Sequence, residues 1–410
     1  MTIASPEVVV RGIAAGGDGV ATLPDGRTVF VPRAAPGDRL RLRGVRLHAR
    51  FARAEVGEVI EPGPDRVEPP CPHYIVDRCG GCQIMHLSAT AQRRVKAQVA
   101  GDAIRRLAKV DIADPGMTAA PAQFGYRSKV TLAVRGDRVG YHRINDPDSV
   151  FDVRTCLVAD AAVQQLIDAF REARRHLPSN ASRVVLRRDR DHGLHVVVRT
   201  DPGPAWTTAV AMRRQLQQRG VSATVWWHPE GGAPRAVAGS RNPWPATVFE
   251  QVHPAMGQLV RHAALDALGD LRGQHVWDLY AGIGETTVAL TDRGATVESV
   301  ERDGRAVAHA ELIGPTGPVR HAGSAETLVA RLRAPAAIVT NPPRTGMTAG
   351  VSQVIAESGA TRVAYISCDP ATLARDIARL APAYQLRSVH GFDQFPQTAH
   401  LECVALLERR

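Results

Sequence analysis

The 410-residue sequence is short of several things, and each shortage narrows what the chain does. It holds no apolar run of the roughly 20 residues that cross a bilayer, so no transmembrane helix is expected. Its first residues, MTIASPEVVVRG, have neither a basic start nor the apolar core of an export signal, and a cytoplasmic location is expected. Cysteine is sparse: Cys71, Cys79, Cys82, Cys156, Cys368 and Cys403. A reducing compartment keeps no structural disulfides, which leaves metal binding for clustered thiols and catalysis or core filling for isolated ones. Lysine is nearly absent, with Lys96, Lys109 and Lys129 among 51 basic residues. Arginine suits phosphate, and a net charge of +10 favours an acidic partner such as nucleic acid, although GC-rich codon usage produces the same bias.

What is present reads as a globular chain of two or three domains, with 44% hydrophobic and 22% charged residues. Residues 1–62 are expected to form a small β unit. GVATLPDGRTVFVP gives two strands around an Asp-Gly turn. The next run alternates apolar and basic residues, placing Arg39, Arg41 and Arg43 on one strand face. A small barrel with one basic face suits single-stranded nucleic acid. The Pro-rich EPGPDRVEPPCPHY marks a linker. Residues 63–250 read as a central α+β domain with the cysteine cluster, opening on a basic amphipathic helix in TAQRRVKAQVAGDAIRRLAKV. Residues 251–410 alternate short apolar strands with helices, the pattern of a doubly wound α/β domain.

In that domain DLYAGIGETTVAL sets a glycine turn between strand and helix. Gly282 and Gly284 let the backbone approach a ligand closely, and Glu301 closes the next strand at the spacing of an acid that binds ribose hydroxyls. A dinucleotide site favours a third glycine where Thr287 stands. S-adenosylmethionine has no pyrophosphate and is the better fit, with Asp278 facing its cationic methionine end.

Further along, SCDPATLARD follows the apolar strand RVAYI. Cys368 then lies at the ligand-binding end of the sheet, before a helix capped by Asp369 and begun by Pro370. The helix dipole favours a thiolate there, opposed in part by Asp369; a core cysteine is the alternative. In TNPPRTG, Asn341 is placed to hydrogen-bond a planar base and Arg344 to hold phosphate or an oxyanion. Glu402 lies in the apolar run HLECVALLE, where burial raises a carboxyl toward use as a base. Cys403 points to the opposite strand face and reads as core. Cys71-x7-Cys79-x2-Cys82, with Cys156 downstream, supplies four thiolates for zinc or a [4Fe–4S] cluster.

Taken in order, the N-terminal unit, CGGCQIMHL, FEQV, DLYAGIG, NPPRTG, SCDPATLARD and HLECVALLE resemble the RNA 5-methyluridine methyltransferase family over nearly the whole chain. The resemblance implies an α/β protein: an N-terminal TRAM domain (a small, OB-like β-barrel), a central α+β domain with a [4Fe–4S] cluster rather than zinc, and a class I, Rossmann-like methyltransferase domain. It implies that Cys368 attacks uracil C6, that C5 takes the methyl of S-adenosylmethionine, and that Glu402 removes the C5 proton. Gln251, Tyr280, Glu301 and Asn341 match cofactor positions, Phe249 a position near the uracil, and Cys71, Cys79, Cys82 and Cys156 the cluster ligands. Arg127 and Lys129 in YRSKV, with Arg143, are expected to grip an RNA backbone, offsetting the few kcal/mol that unstacking a base costs.

The arrangement resembles members that modify large-subunit ribosomal RNA, which makes that RNA the expected partner of a monomer. Transfer RNA is a second substrate reading, and a non-catalytic RNA-binding or ribosome-assembly factor a third. Departures from the family pattern are Asn341 for the frequent Asp, Asp369 for Asn, Ala281 for Cys, His253 for Asn and a longer first cysteine spacing.

Overall fold

The alternating N-terminal stretch closes on itself. In the computed structural model, which describes residues 5–240 and 247–410, six strands run in the order Glu7–Val9, Arg39–Leu47, Phe51–Glu61, Thr28–Val31, Gly19–Thr22, Gly12–Ile13. The first and last are halves of one bent segment, paired at either end of the series, so the sheet forms a ring and its edges are covered. The turn expected at Asp25-Gly26 is there, with Gly26 at φ 84°.

The basic face expected of this barrel is not what forms. Arg39, Arg41 and Arg43 do share a face, but the register sets Arg39 opposite Glu61, Arg41 opposite Glu58 and Arg43 opposite Glu55. Each arginine pairs with its opposite carboxylate, and Glu7 bridges Arg39 and Arg41. The period of one strand reveals its own face; the acids arrive from its neighbour, and the result is a ladder of alternating charge.

The central part holds a seven-stranded sheet that includes the expected strands Lys129–Arg135, Ala181–Arg188 and Leu194–Thr200. Helices Ala161–Ala173 and Ala209–Gln218 cover one face, where Val184, Leu186, Val196 and Val198 are buried.

The C-terminal sheet has eight strands, in the order Val319–Ala322, Thr296–Glu301, His275–Leu279, Ala337–Thr340, Arg362–Ser367, Glu402–Arg409, Tyr384–Phe392, Met117–Thr118. The five from Val319–Ala322 to Arg362–Ser367 are parallel, and Glu402–Arg409 runs antiparallel between its neighbours. Both faces are covered: Val276 and Val339 pack under helix Pro254–Leu268, while Trp277 and Ile338 enter the core on the other side. Burial on both sides is why these strands read as unbroken apolar runs. The strand order reverses between His275–Leu279 and Ala337–Thr340, which opens the crevice where such sheets take ligands.

Residues 89–118 build on this same layer. Helix Ala89–Ala103, capped by Ser88, continues as a wider turn, Ile104–Ala108, and Ala100 and Ile104 pack with Trp277. The helix is basic, but not simply on a solvated face: Lys96 is buried and ion-paired to Asp393 at 2.6 Å. Among the described residues no helix is long and apolar enough to cross a membrane.

Candidate active site and cysteine site

Strand Arg362–Ser367 delivers Cys368 to the open end of the sheet, and helix Pro370–Leu380 follows at once. Asp369 caps that helix as expected, accepting the Thr372 amide at 2.8 Å. Its carboxylate is thus engaged with the positive end of the dipole rather than turned on the thiol. Ser367 lies opposite Cys403 in the antiparallel pair. Cys368 follows Ser367 and Glu402 precedes Cys403, so the two meet at the end of this strand pair, near enough for the carboxyl to act on the thiol.

Glu402 is 3% exposed. Burial pushes its carboxyl up to about 8, and Arg344 pulls it back only in part. Cys403 turns into the core. Cys368 is half-buried, and burial, then the nearby Glu402, push its thiol above the ordinary value, while Arg344 favours the thiolate. This corrects the expectation of a thiol made acidic by the helix start. The cap position belongs to Asp369, and burial first, then the Glu402 carboxyl, raise the thiol.

The glycine loop follows strand His275–Leu279. Gly284, at φ 83°, is the cap of helix Glu285–Asp292. Gly282, at φ 57°, has open space where a side chain would project, so a ligand can lie against the backbone. Tyr280 also has positive φ, 62°, an unfavourable conformation for a bulky residue, and its phenol oxygen is buried without a partner. Glu301 accepts the Gly282 amide and the Asp303 amide, both at 2.8 Å. Each carboxylate oxygen keeps a second acceptor site for a hydroxyl. Asp278 lies beneath the loop, raised to about 6 by burial, and accepts the Thr287 hydroxyl at 2.6 Å. Thr287 thereby has a structural task at the position where a dinucleotide loop carries glycine.

Phe249, Gln251, Tyr280, Gly282 and Asn341 line one pocket. Asn341 sits at the switch point, its amide bonded to the Leu279 carbonyl at 3.1 Å. The Gln251 side chain accepts from Gln394 at 3.1 Å. Phe249 is 62% exposed, with the Lys129 ammonium 6.0 Å from its ring. Burial, with Arg187 and Arg127 nearby, lowers that lysine to about 8. His253 caps helix Pro254–Leu268 through Nδ1, which accepts the Met256 amide at 3.5 Å, the task an asparagine performs at such a position.

Cys71, Cys79, Cys82 and Cys156 line a second cavity, all as free thiols. Burial raises Cys79 to about 12 and raises Cys71 and Cys82 too, so without a cation these are neutral thiols. His73 fixes the approach to Cys156: Nδ1 meets Asp77 at 2.7 Å, and Nε2 accepts the Arg154 amide at 3.0 Å. Among the described residues no three His, Cys, Asp or Glu side chains come together as the ligand set of a single ion. Arg127 faces this cavity, and Arg143 donates to the Asp77 carbonyl at 2.6 Å. Arg127 thus lines the cysteine cavity, and Arg143 braces the segment that leads to Cys79.

A third group escaped the sequence reading. The turn 393–400, which leads into Glu402, is strapped to residues 83–126. Lys96 holds Asp393 and the Phe395 carbonyl. The Gln92 side chain exchanges hydrogen bonds with Gln397, at 3.0 Å to its side chain and 2.8 Å from its amide. The Ile84 amide reaches the Gln397 carbonyl, and the Tyr126 hydroxyl the Pro396 carbonyl. The signal was the density of polar residues in FDQFPQTAHLE, beside a strand that is otherwise core.

Comparison with known proteins agrees in kind. A family model described as tRNA (Uracil-5-)-methyltransferase matches residues 331–410. The chain is 32% identical to the 23S rRNA (uracil(1939)-C(5))-methyltransferase RlmD of Acidithiobacillus ferrooxidans, over 99% of this chain and 98% of that one. It is also 32% identical to an uncharacterised RNA methyltransferase of Streptomyces coelicolor, over 98% and 92%. Its fold matches the crystal structure of Pyrococcus abyssi tRNA (uracil-54, C5)-methyltransferase in complex with S-adenosyl-L-homocysteine, with a TM-score of 0.75, 20% identity, and coverage of 99% and 100%.

Proposed function

The chain belongs to the RNA uracil-C5 methyltransferase family, and from that premise we infer that it methylates C5 of a uridine in 23S ribosomal RNA. The observation that carries the reading is the nearness of Cys368 and the buried Glu402 at the end of one strand pair, at the sheet end that also carries the glycine loop.

The residues divide the work as follows. Cys368 adds through sulfur to C6 of the uracil, and the C5–C6 π electrons move toward C5 and the C4 carbonyl. S-adenosylmethionine, when bound, would supply an electrophilic methyl group to C5, its methyl–sulfonium bond breaking to leave S-adenosylhomocysteine. Glu402, as carboxylate, then removes the C5 proton, the C5–C6 double bond reforms, and the S–C6 bond breaks to return Cys368 as thiolate. One hard substitution at an unreactive carbon becomes several easier steps. Arg344 offsets negative charge at the pair. Gln251, Tyr280, the glycines, Glu301 and Asn341 hold the cofactor, with Asp278 supporting the loop from below. Phe249, exposed at the pocket wall, offers a face on which an unstacked base rests.

We read the N-terminal barrel as a TRAM domain. Its paired arginines assign it to docking by shape rather than by a strong basic field. We assign the four thiols of one cavity to a [4Fe–4S] cluster. The donor set is all sulfur, no disulfide competes, and the corners of a cluster hold thiolates farther apart than one zinc ion does. A cluster there would be structural, binding four thiolates, three of them buried, and offsetting part of their charge. The working unit is a cytoplasmic monomer.

The likeness to an archaeal tRNA enzyme favours transfer RNA as a second substrate reading. Mass spectrometry of nucleosides from separated ribosomal and transfer RNA, with and without the gene, tests both. Loss of 5-methyluridine from 23S RNA is expected; loss from transfer RNA alone would move the substrate, and loss from neither would overturn the reading.

A further inference from the structure

The Arg375-Asp376 pair near the end of SCDPATLARD has no part in the chemistry above. Asp376 is fully buried, yet it is the best-connected carboxylate near the site. One oxygen accepts the Tyr365 hydroxyl at 2.7 Å and the Met347 amide at 2.8 Å. The other pairs with Arg375 at 2.9 Å and Arg379 at 3.0 Å. Those arginines reach on to the preceding loop: Arg375 donates to the Thr345 carbonyl at 2.8 Å, and Arg379 to the Met347 carbonyl at 2.9 Å. The Thr372 hydroxyl donates to the Arg344 carbonyl at 2.9 Å. Gly346 has φ 73°, and a side chain there would overlap Thr372, Arg375 and Asp376. Residues 344–347 therefore hang on one helix, and that helix begins directly after Cys368.

We propose that Asp376 is a positioning residue: through Arg375, Arg379 and the Met347 amide it clamps the 344–347 loop to the helix behind the nucleophile, which holds the Arg344 guanidinium against Cys368 and Glu402. A buried carboxylate is costly unless its lone pairs are satisfied, and this one meets two guanidiniums, a hydroxyl and an amide. Such a network gives geometric specificity, and here what it specifies is the distance between a cation and a nucleophile carried by separate segments. The titratable and charged groups near Cys368 are Glu402 and Cys403 from the adjacent strand and Arg344 from the loop; Asp369, next in the chain, is turned to the helix amides. Arg344 is the one cation among them.

The consequence for turnover rests on reading Cys368 as the nucleophile, but the clamp is testable without RNA or cofactor. The measurement is iodoacetamide alkylation of Cys368 in the full chain from pH 6 to 10, read by peptide mass spectrometry. Arg344→Met is expected to move the midpoint upward and slow alkylation at pH 7 about three- to tenfold, the effect of losing one partly screened charge. Asp376→Asn is expected to move it in the same direction, and the double variant no further than Arg344→Met. If Asp376→Asn fails to fold, Thr372→Val and Arg375→Met keep the buried carboxylate and loosen the loop; each is expected to shift the midpoint part of the way. An unchanged midpoint in these folded variants, or a double variant that adds the two shifts, would overturn the proposal. Neither outcome bears on whether the enzyme methylates uridine, which the nucleoside measurement decides separately.

Discussion

Cys368 and Glu402 flank one residue pair of an antiparallel strand pair: Ser367, just before the nucleophile, is paired with Cys403, just after the carboxylate. Nucleophile and base are therefore set by sheet register. Two covalently distant residues are brought together at the end of one strand pair, the arrangement a multistep reaction at one carbon needs. The same closeness makes Glu402 raise the proton affinity of Cys368, burial raises that of Glu402, and Arg344 moderates both.

Glu402→Gln is expected to stop turnover after methyl transfer. Without a base the C5 proton stays, elimination fails, and a covalent protein–RNA adduct accumulates with ordinary RNA, visible as a denaturation-resistant band. The variant is also expected to be more stable than the parent at alkaline pH. Glu402 titrates near 4.5 when unfolded and about 8 when folded, so the folded state keeps a proton that the unfolded chain has lost. Stability falls by up to ~1.4 kcal/mol per pH unit across that window and levels off above it. Gln carries no such penalty, so its melting-temperature advantage should widen from pH 5 to 8 and then hold.

Activity should climb with pH. Cys368 must be thiolate to attack and Glu402 carboxylate to take a proton, and both are shifted upward. The expected profile of kcat/KM rises from pH 6 through about 8. A profile already flat at pH 6.5 would mean that the bound RNA or cofactor lowers both groups.

Lys96→Met is expected to destabilise the protein by about 3–5 kcal/mol, because it strands the buried Asp393 carboxylate. Lys96→Met with Asp393→Leu should recover much of that loss. Thermal melts of the two variants decide it, and equal melting temperatures would contradict the role of the pair as a strap.

Purified without oxygen, the protein should carry about four irons per chain and a broad visible absorption, lost in Cys82→Ser. One zinc per chain and no colour would return the site to zinc. Because residues 83 and 84 bond directly to the turn that leads into Glu402, loss of the metal centre should also increase amide exchange across residues 397–399.

Much of this was legible beforehand, and the boundary is instructive. Period-two alternation located the strands, and glycine placement with a distant acid located the cofactor loop. The Ser-Cys-Asp-Pro run announced a strand end and a capped helix, because a cap is a local event. What stayed hidden is set by register and tertiary contact. Glu55, Glu58 and Glu61 neutralise the barrel arginines from the next strand. Asp393 meets Lys96 from 297 positions away. Burial and Glu402, both tertiary effects, raise the Cys368 thiol. Asp278, read as a ligand for a charged cofactor end, is committed to Thr287 under the loop.

The most direct test of the account is incubation of the protein with S-adenosylmethionine and 23S RNA in which uridine is replaced by 5-fluorouridine. Fluorine cannot leave as the proton does, so the account predicts a stable adduct, carrying one transferred methyl group and mapped by peptide mass spectrometry to Cys368. An adduct at another residue, or none under conditions where ordinary 23S RNA is methylated, would contradict it.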